Sequence, residues 1–526
     1  MSLRSDTSIV IKPCDKNLGT CVVSRSWYEQ EALSQLRNPV AYAELPAPPL
    51  LSTILSSLLA LLSRHGRLTH PATPTALSPL ANFLLQARNK PLRLCRFYML
   101  IKVHKPTLAG RPICSSIACP TYFASQYLDS VLQPLARASP SYVCNSTSFL
   151  QRLEQLHLPH DCVFVTADVT NLYPSISHPA GLRALRITLL RHQFPPSEIA
   201  FILDLTHWVL SNNFLEFGNL VFHQCQGTAM GTPLAVAYAT IYLTIFEEEI
   251  LAVCHDTCVS FQPPRLYLRF VDDIFAIFTS HTSGQLFLET FTSHDVNIQL
   301  TSTISSDEGT FLDVTAYKGP RFASLQVLDT RLFQKPQNRY LYLPPFSFHH
   351  PAVFRSFVNN EIRRYRLLCS SDDTFMAALS AFHSRLLARG YSAPFLTPLF
   401  ASLPSRPSLL AALPTSVPPL PGPPHTDAPT PTSPAPLRPS SAHPLLFALP
   451  FSTRSRQLRL SPCLLPPLAV QASPIGLQLF AGTHPKLCFH RAQNLGDLLT
   501  SSRYPFSLPP STRNPAPQGQ DQDPVR

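Results

Sequence analysis

The stretch "RFVDDIF", residues 269–275, sets two aspartates side by side between apolar and aromatic residues. Adjacent carboxylates repel, and an apolar setting raises the cost of their charge. On its own such a pair is a common solvated turn. Its flanks ask for more: "RLYLRFV" (265–271) and "IFAIFTS" (274–280) read as a hairpin with the acids at its turn. Farther upstream, "CVFVTAD" (162–168) is a short apolar run ending in an acid, as a buried central strand would. If those strands are neighbours, Asp168, Asp272 and Asp273 converge at one edge of a sheet. Converging acids in a partly apolar cleft need divalent cations, and hard oxygen donors without His or Cys favour Mg2+ or Mn2+. Two such ions form the clamp used for in-line attack at phosphorus.

Other segments keep company with the acids. "ADVTNLYPSI" (167–176) places Tyr173 five residues after Asp168, where a ring can lie beneath an incoming sugar. "QGTAMGTPLAVAYATIY" (226–242) is a glycine-bearing loop running into an apolar helix, and Gly227 and Gly231 allow close approach of backbone to a nucleotide. "YMLIKVHKPTLAGRPICSS" (98–116) carries Lys102, Lys105 and Arg111, a cationic cluster suited to a triphosphate or, read alone, a solvated loop. "FRSFVNNEIRRYRLL" (354–368) sets Arg355, Arg363, Arg364 and Arg366 among apolar residues, so a helix there offers cations to a phosphate backbone. The bland reading is an amphipathic helix with solvated arginines.

Composition agrees with a polyanion partner. The chain has 526 residues, 45% hydrophobic and only 14% charged, yet its net charge is +11. Nucleic acid is the first candidate for such a balance and an anionic membrane the second. The 13 cysteines include no CxxC pair and read as small buried hydrophobes in a reducing compartment. No secretory leader opens the sequence, and its apolar runs, "LLSTILSSLLALL" (50–62) and "PLAVAYATIYLTIF" (233–246), are too short to span a bilayer. Both read as helices, the second buried. "SDDTFMAALSAFHSRLLARG" (371–390) carries helix boundary signals at each end, and "TFLDVTAYKGPRFASLQVLDTRLF" (310–333) reads as a hairpin turning at Lys318–Arg321. Prolines crowd between Pro414 and Pro450, which predicts an extended linker. The fold class expected from this pattern is α+β.

In this order the motifs resemble reverse transcriptases, most closely those of Penelope-like retroelements, which are relatives of telomerase. "IKPCDKNLGTCVVSRSWY" (11–28) is similar to that family's N-terminal segment, and "IKVHKP…GRPICSS" to its fingers motif. "ADVTNLYPSI", "QGTAMGTPLAVAYA" and "RFVDDIF" resemble the three palm motifs, while "LFQKPQNRYLYLPPFSFHHP" and "RGYS" resemble segments that follow the palm. The resemblance implies an RNA-directed DNA polymerase of right-hand architecture, with an RNA template, a DNA primer and dNTPs. It implies that Asp168 and Asp272 bind metal, that Asp273 is the accompanying catalytic acid, and that Tyr173 is the steric gate against a ribose 2′-hydroxyl. Gln226 and Gly227 would contact nucleotide and template, and Lys102 or Lys105, together with Arg111, the triphosphate. Lys318 is a nearby candidate for protonating pyrophosphate. Phe270, Asn171, Pro174 and Ser175 depart from the usual motif residues without touching the acids.

The expected domains are an N-terminal segment and fingers (1–130), a palm (131–335), a thumb-like helical region (336–400), a proline-rich linker (401–450) and a small C-terminal module (451–526). "PKLCFHRAQNLGDLL" (485–499) resembles the connector that precedes a GIY-YIG endonuclease in many family members; no such motif follows, so the expectation is either an endonuclease-lacking member, with a separate endonuclease as a candidate partner, or a truncated copy. A chromosomal target implies nuclear residence. The rival readings are a catalytically inactive or domesticated nucleic-acid-binding remnant, an RNA-copying polymerase, and a proline-rich interaction protein.

Overall fold

The computed structural model describes residues 6–413 apart from 72, 90, 257–261 and 348, together with the strands Leu446–Pro450 and Lys486–His490. The architecture is mixed α+β. Its centre is a four-stranded antiparallel sheet in the order Leu266–Phe270, Asp273–Phe278, Val163–Thr170, Gln299–Ser305. Val163–Thr170 begins with consecutive buried residues and ends with alternating exposure, so it is covered on both faces at its start and opens to solvent at Asp168 and Thr170.

Two cores explain that pattern. Val163, Val165, Ala167 and Val169 point to one face, where they pack with Ile274, Ala276 and Phe278 against the long helix Leu234–Asp256. That helix is apolar almost all round, the signature of an element enclosed by its neighbours. Phe164, Phe275 and Ile277 point the other way and join Phe149, Phe311 and Val314. The ring of Phe149 meets those of Phe275 and Phe311 edge-on, both at 4.9 Å.

The 310–333 segment differs from the single hairpin its sequence suggested. Phe311 pairs with Val314 across a two-residue turn, and Val314–Tyr317 then pairs with Asp329–Leu332, giving a three-stranded meander with Glu308–Phe311. Leu312 adopts a positive φ of 56°, a turn signal that its side chain does not advertise. Pro320 does not make a tight turn; it opens the short helix Pro320–Leu325, a position where a missing N–H costs nothing. Lys318 is carried to the far end of the central strand, where its ammonium donates to the His160 carbonyl at 2.8 Å. It is therefore removed from the acids that it was expected to serve.

A second sheet has five strands in the order Tyr42–Leu45, Leu220–Gln224, Phe214–Phe217, Cys95–Lys102, Ala109–Ser115. Its core holds Phe97, Met99, Ile101 and Leu215 against Tyr28, Ala32 and Leu36 of the helix Arg25–Leu36. "LLSTILSSLLALL" forms most of the helix Leu51–Arg64, with Leu50 at its N-cap. The helical region gathers Pro351–Leu368, Asp372–Ala388 and Ala393–Ala401 around Val358, Tyr365, Phe382 and Leu396. Ser371 caps the second helix by accepting from the Thr374 N–H, and Gly390 ends it at a φ of +100°.

Ordered structure continues beyond 400. The helix Arg406–Ala411 anchors through Arg406, which is buried, donates to the Leu367 carbonyl at 3.1 Å and pairs with Glu154 at 2.6 Å. The proline-crowded stretch 414–445 and most of the expected C-terminal module lie outside the described residues. Leu446–Pro450 and Lys486–His490 pair in parallel. No helix among the described residues is long and apolar enough to cross a membrane.

Candidate active site

Backbone register builds the site. Asp273 stands directly opposite Asp168 in the antiparallel ladder, so the two side chains share a face. Phe270 pairs with Asp273, leaving Val271 and Asp272 as a two-residue turn. The Asp272 carbonyl accepts from the Val169 N–H at 3.0 Å, which ties the turn to the strand bearing Asp168. The three aspartates thus meet at one sheet edge.

Their charge is poorly compensated. Burial first, then repulsion from Asp272 and Asp168, pushes Asp273 up to about 6. Burial also raises Asp272, with Asp168 adding to the effect and Arg111 and Arg269 opposing it. The carboxylate oxygens form the hard donor set that Mg2+ or Mn2+ takes, and their unbalanced charge suits a cation. Among the described residues, no group of three or more His, Cys, Asp or Glu side chains is already in a metal-holding arrangement. The donor chemistry fits a divalent ion, and the side chains have to adjust to enclose one.

Tyr173 joins the acids. It lies in the short helix Leu172–Ser175, entered through Asn171 at a left-handed φ of 51°. Burial, with Asp272 next in effect, raises its phenol to about 12. The loop bearing Gln226 and Gly227 is bound to this segment: Gln226 donates to the Ser175 carbonyl at 2.9 Å, and the Thr228 N–H to the Tyr173 carbonyl at 2.8 Å. Gly227 has a φ of +73°, and a Cβ there would lie 2.3 Å from the Tyr173 carbonyl oxygen. The close approach that this glycine permits is therefore to protein backbone.

The cations come from the five-stranded sheet. Arg111 is ion-paired through Nε with the buried Asp15 at 3.2 Å, while its own side chain stays 44% exposed. A second oxygen of Asp15 is buried without a hydrogen-bond partner. Lys102 is lowered by burial first and then by Arg111. Lys105 belongs to the same field, since it acts on Lys16, Lys102 and His104. Lys16 is lowered by burial and next by Lys335, which also opposes the rise of Asp273. Lys335 therefore spans the gap between the acids and the basic cluster, and Gln337 ties its loop to the His104 carbonyl at 3.2 Å.

Sequence reading missed Asp15, Lys16 and Lys335 as members of the site. Their signals were the acid–lysine step in "IKPCDKNLG" and the lysine of "LFQKPQNRY", each remote in sequence from the aspartates. It also missed Glu247 and Arg269, the latter inside the quoted motif.

The helix Pro351–Leu368 separates its arginines. Arg355 and Arg363 are exposed. Arg364 pairs with Asp313 and with Glu361, and Arg366 with Asp372 at 2.6 Å. The helix is distant in sequence from the acids and is not part of their cluster.

Residues 341–400 match the family model of an animal helix-turn-helix domain. No curated protein matches the chain. Among solved structures, it is similar to telomerase from Candida albicans in complex with the TWJ fragment of telomeric RNA, at 10% identity and a TM-score of 0.48, covering 77% of this chain and 62% of that one. It is also similar to apo telomerase from Candida tropicalis, at 11% identity and a TM-score of 0.43, covering 74% and 68%. The chain thus spans less than two thirds of the Candida albicans chain.

Proposed function

We propose that this chain is an RNA-directed DNA polymerase of a Penelope-like retroelement, joining dNTPs to the 3′-hydroxyl of a DNA primer on an RNA template. The observation that carries the proposal is Asp273 opposite Asp168 in register, with Asp272 in the adjoining turn and Tyr173 and Arg111 at the same edge.

Asp168 and Asp272 are the residues that would hold Mg2+ or Mn2+. When bound, the ions supply charge stabilisation to the phosphoryl group in transfer. The protein's own contribution is alignment. Tyr173, fixed by the loop at Gln226 and Gly227, lies beneath the incoming sugar and excludes a 2′-hydroxyl. Arg111, with Nε committed to Asp15, keeps its terminal N–H groups for the triphosphate, in a field reinforced by Lys102, Lys105, Lys16 and Lys335. Arg355 and Arg363 face the phosphate backbone of the template–primer duplex. Arg364 and Arg366 shape that helix through their ion pairs. The reaction takes place in the nucleus, at the chromosomal target, and a separate endonuclease supplies the primer end.

The test is primer extension by the purified full chain on an RNA template with dNTPs and Mg2+. Extension is expected with the parent, and Asp272→Asn is expected to reduce it at least about 1,000-fold, the scale set by losing one element of a preorganised charge site. Absence of extension, or extension unchanged in Asp272→Asn, refutes the enzyme reading.

A further inference from the structure

Arg269 is the largest side chain in the fully buried interior, only 1% exposed. A buried guanidinium needs a counter-charge and partners for its remaining N–H groups. Arg269 has both. Its Nε donates to Glu247 of the long helix, itself 3% exposed. One terminal nitrogen donates to the Thr240 carbonyl and to the Thr244 hydroxyl, both at 3.1 Å, on the same helix. The other donates to the Val271 carbonyl at 3.0 Å. Ser141 completes the network by donating its hydroxyl to Glu247 at 2.8 Å, while its carbonyl accepts from the Arg269 N–H at 2.7 Å.

The contact with Val271 has a chemical consequence. Val271 precedes Asp272 in the two-residue turn and has a φ of 59°. A β-branched residue in the left-handed region is strained, and persists only where its surroundings hold it. Two bonds hold this turn. Arg269 binds the carbonyl of Val271, and the Val169 N–H binds the carbonyl of Asp272. With both peptide groups fixed, the Asp272 side chain leaves the turn in one direction, toward Asp168.

We infer that Arg269 is a positioning residue: its planar fork locks the strained turn to the long helix and so aims Asp272 at the reacting centre. The inference rests on the polymerase reading for its kinetic consequence and on the hydrogen-bond network for its structural one. Lysine cannot replace the fork. It keeps the charge opposite Glu247, but one ammonium cannot serve Glu247, the Thr240 carbonyl and the Val271 carbonyl together.

The deciding variant is therefore Arg269→Lys in the full chain. If Arg269 only balanced buried charge, R269K would restore stability and rate together. Positioning separates them. R269K is expected to melt within about 5 °C of the parent. Its kcat for primer extension is expected to fall about 10- to 100-fold, the cost of a small misalignment, with KM for dNTP within about threefold. Hydrogen exchange gives a readout that needs no activity: the Val169 amide is expected to exchange at least about tenfold faster, with Pro351–Leu368 unchanged. A parent that extends no primer refutes the polymerase reading and leaves the exchange comparison to decide this one. If R269K does not fold, the double variant Arg269→Gln, Glu247→Gln removes both charges together and carries the same readouts. Parental kcat in either variant, or unchanged exchange at Val169, overturns the inference.

Discussion

Two groups of charge meet at one hairpin, Arg269 three residues before Asp272, and they are built in opposite ways. At Arg269 every charge has a partner: Glu247 answers the guanidinium, and Ser141, Thr240, Thr244 and Val271 take up the remaining hydrogen bonds. At Asp168, Asp272 and Asp273 the acids crowd one another, and burial first, then that mutual repulsion, raises Asp272 and Asp273. A protein that compensates charge so fully on one side of Phe270 has the means to do so on the other. That contrast supports the proposal that the acids hold cations, with the Arg269 network as their mount.

The largest expected effect breaks the compensated side. Arg269→Met leaves Glu247 buried without a cation, and a broken buried pair costs about 3–5 kcal/mol. Urea unfolding measures it, and a loss below about 1 kcal/mol would show that the network does not hold the hairpin. The acid side is expected to respond with the opposite sign. Asp273→Asn removes a repelled charge, so in the absence of divalent ions the variant is more stable at pH 7.5, by about 1–2 kcal/mol after discounting for partial exposure. The folded pKa, about 6, lies above the ordinary 3.8, so the native state holds that proton more tightly than the unfolded chain does. Stability of the parent thus falls as pH rises through this window, and the advantage of Asp273→Asn disappears near pH 4. Melting curves at several pH values check both the sign and the window.

The smallest effects sharpen the same contrast on the helix Pro351–Leu368. Arg364→Ala breaks a partly exposed pair and is expected to cost less than about 1 kcal/mol of stability, with little change in nucleic-acid affinity. Arg363→Ala, at an exposed position, is expected to lower the slope of log affinity against log salt by about one. Salt titrations of duplex binding separate the two; equal slopes for both variants would mean that the ion pairs do not sequester Arg364.

The acids were legible in the sequence because their signals are local. A two-residue turn between apolar strands identifies the hairpin, and an apolar run reaching Asp168 marks the strand that supplies the facing acid. The mount was not legible, because its halves lie apart in sequence: Glu247 opens a run of three glutamates on an otherwise apolar helix, with nothing to single it out, 22 residues before Arg269. Asp15, which orients Arg111, is still farther from its partner and becomes a neighbour only when the N-terminal strands pack against the five-stranded sheet. Gly227 also lies against protein backbone, at Tyr173 and Pro174, a neighbour its sequence does not announce. The 310–333 segment was simplified because nothing in Leu312 announces a positive φ. In each case, what escaped was a partner supplied by tertiary packing.

The proposal underlying all of this is that Asp168 and Asp272, crowded by Asp273, hold divalent cations. Thermal unfolding of the parent across a Mg2+ titration tests it directly, because a ligand binding only the native state stabilises it by about 2.7 kcal/mol at one hundred times its dissociation constant. The expected result is a midpoint that climbs with Mg2+ in the parent and stays flat in the double variant Asp168→Asn, Asp272→Asn. Equal climbs in both proteins, or none in the parent, would contradict it.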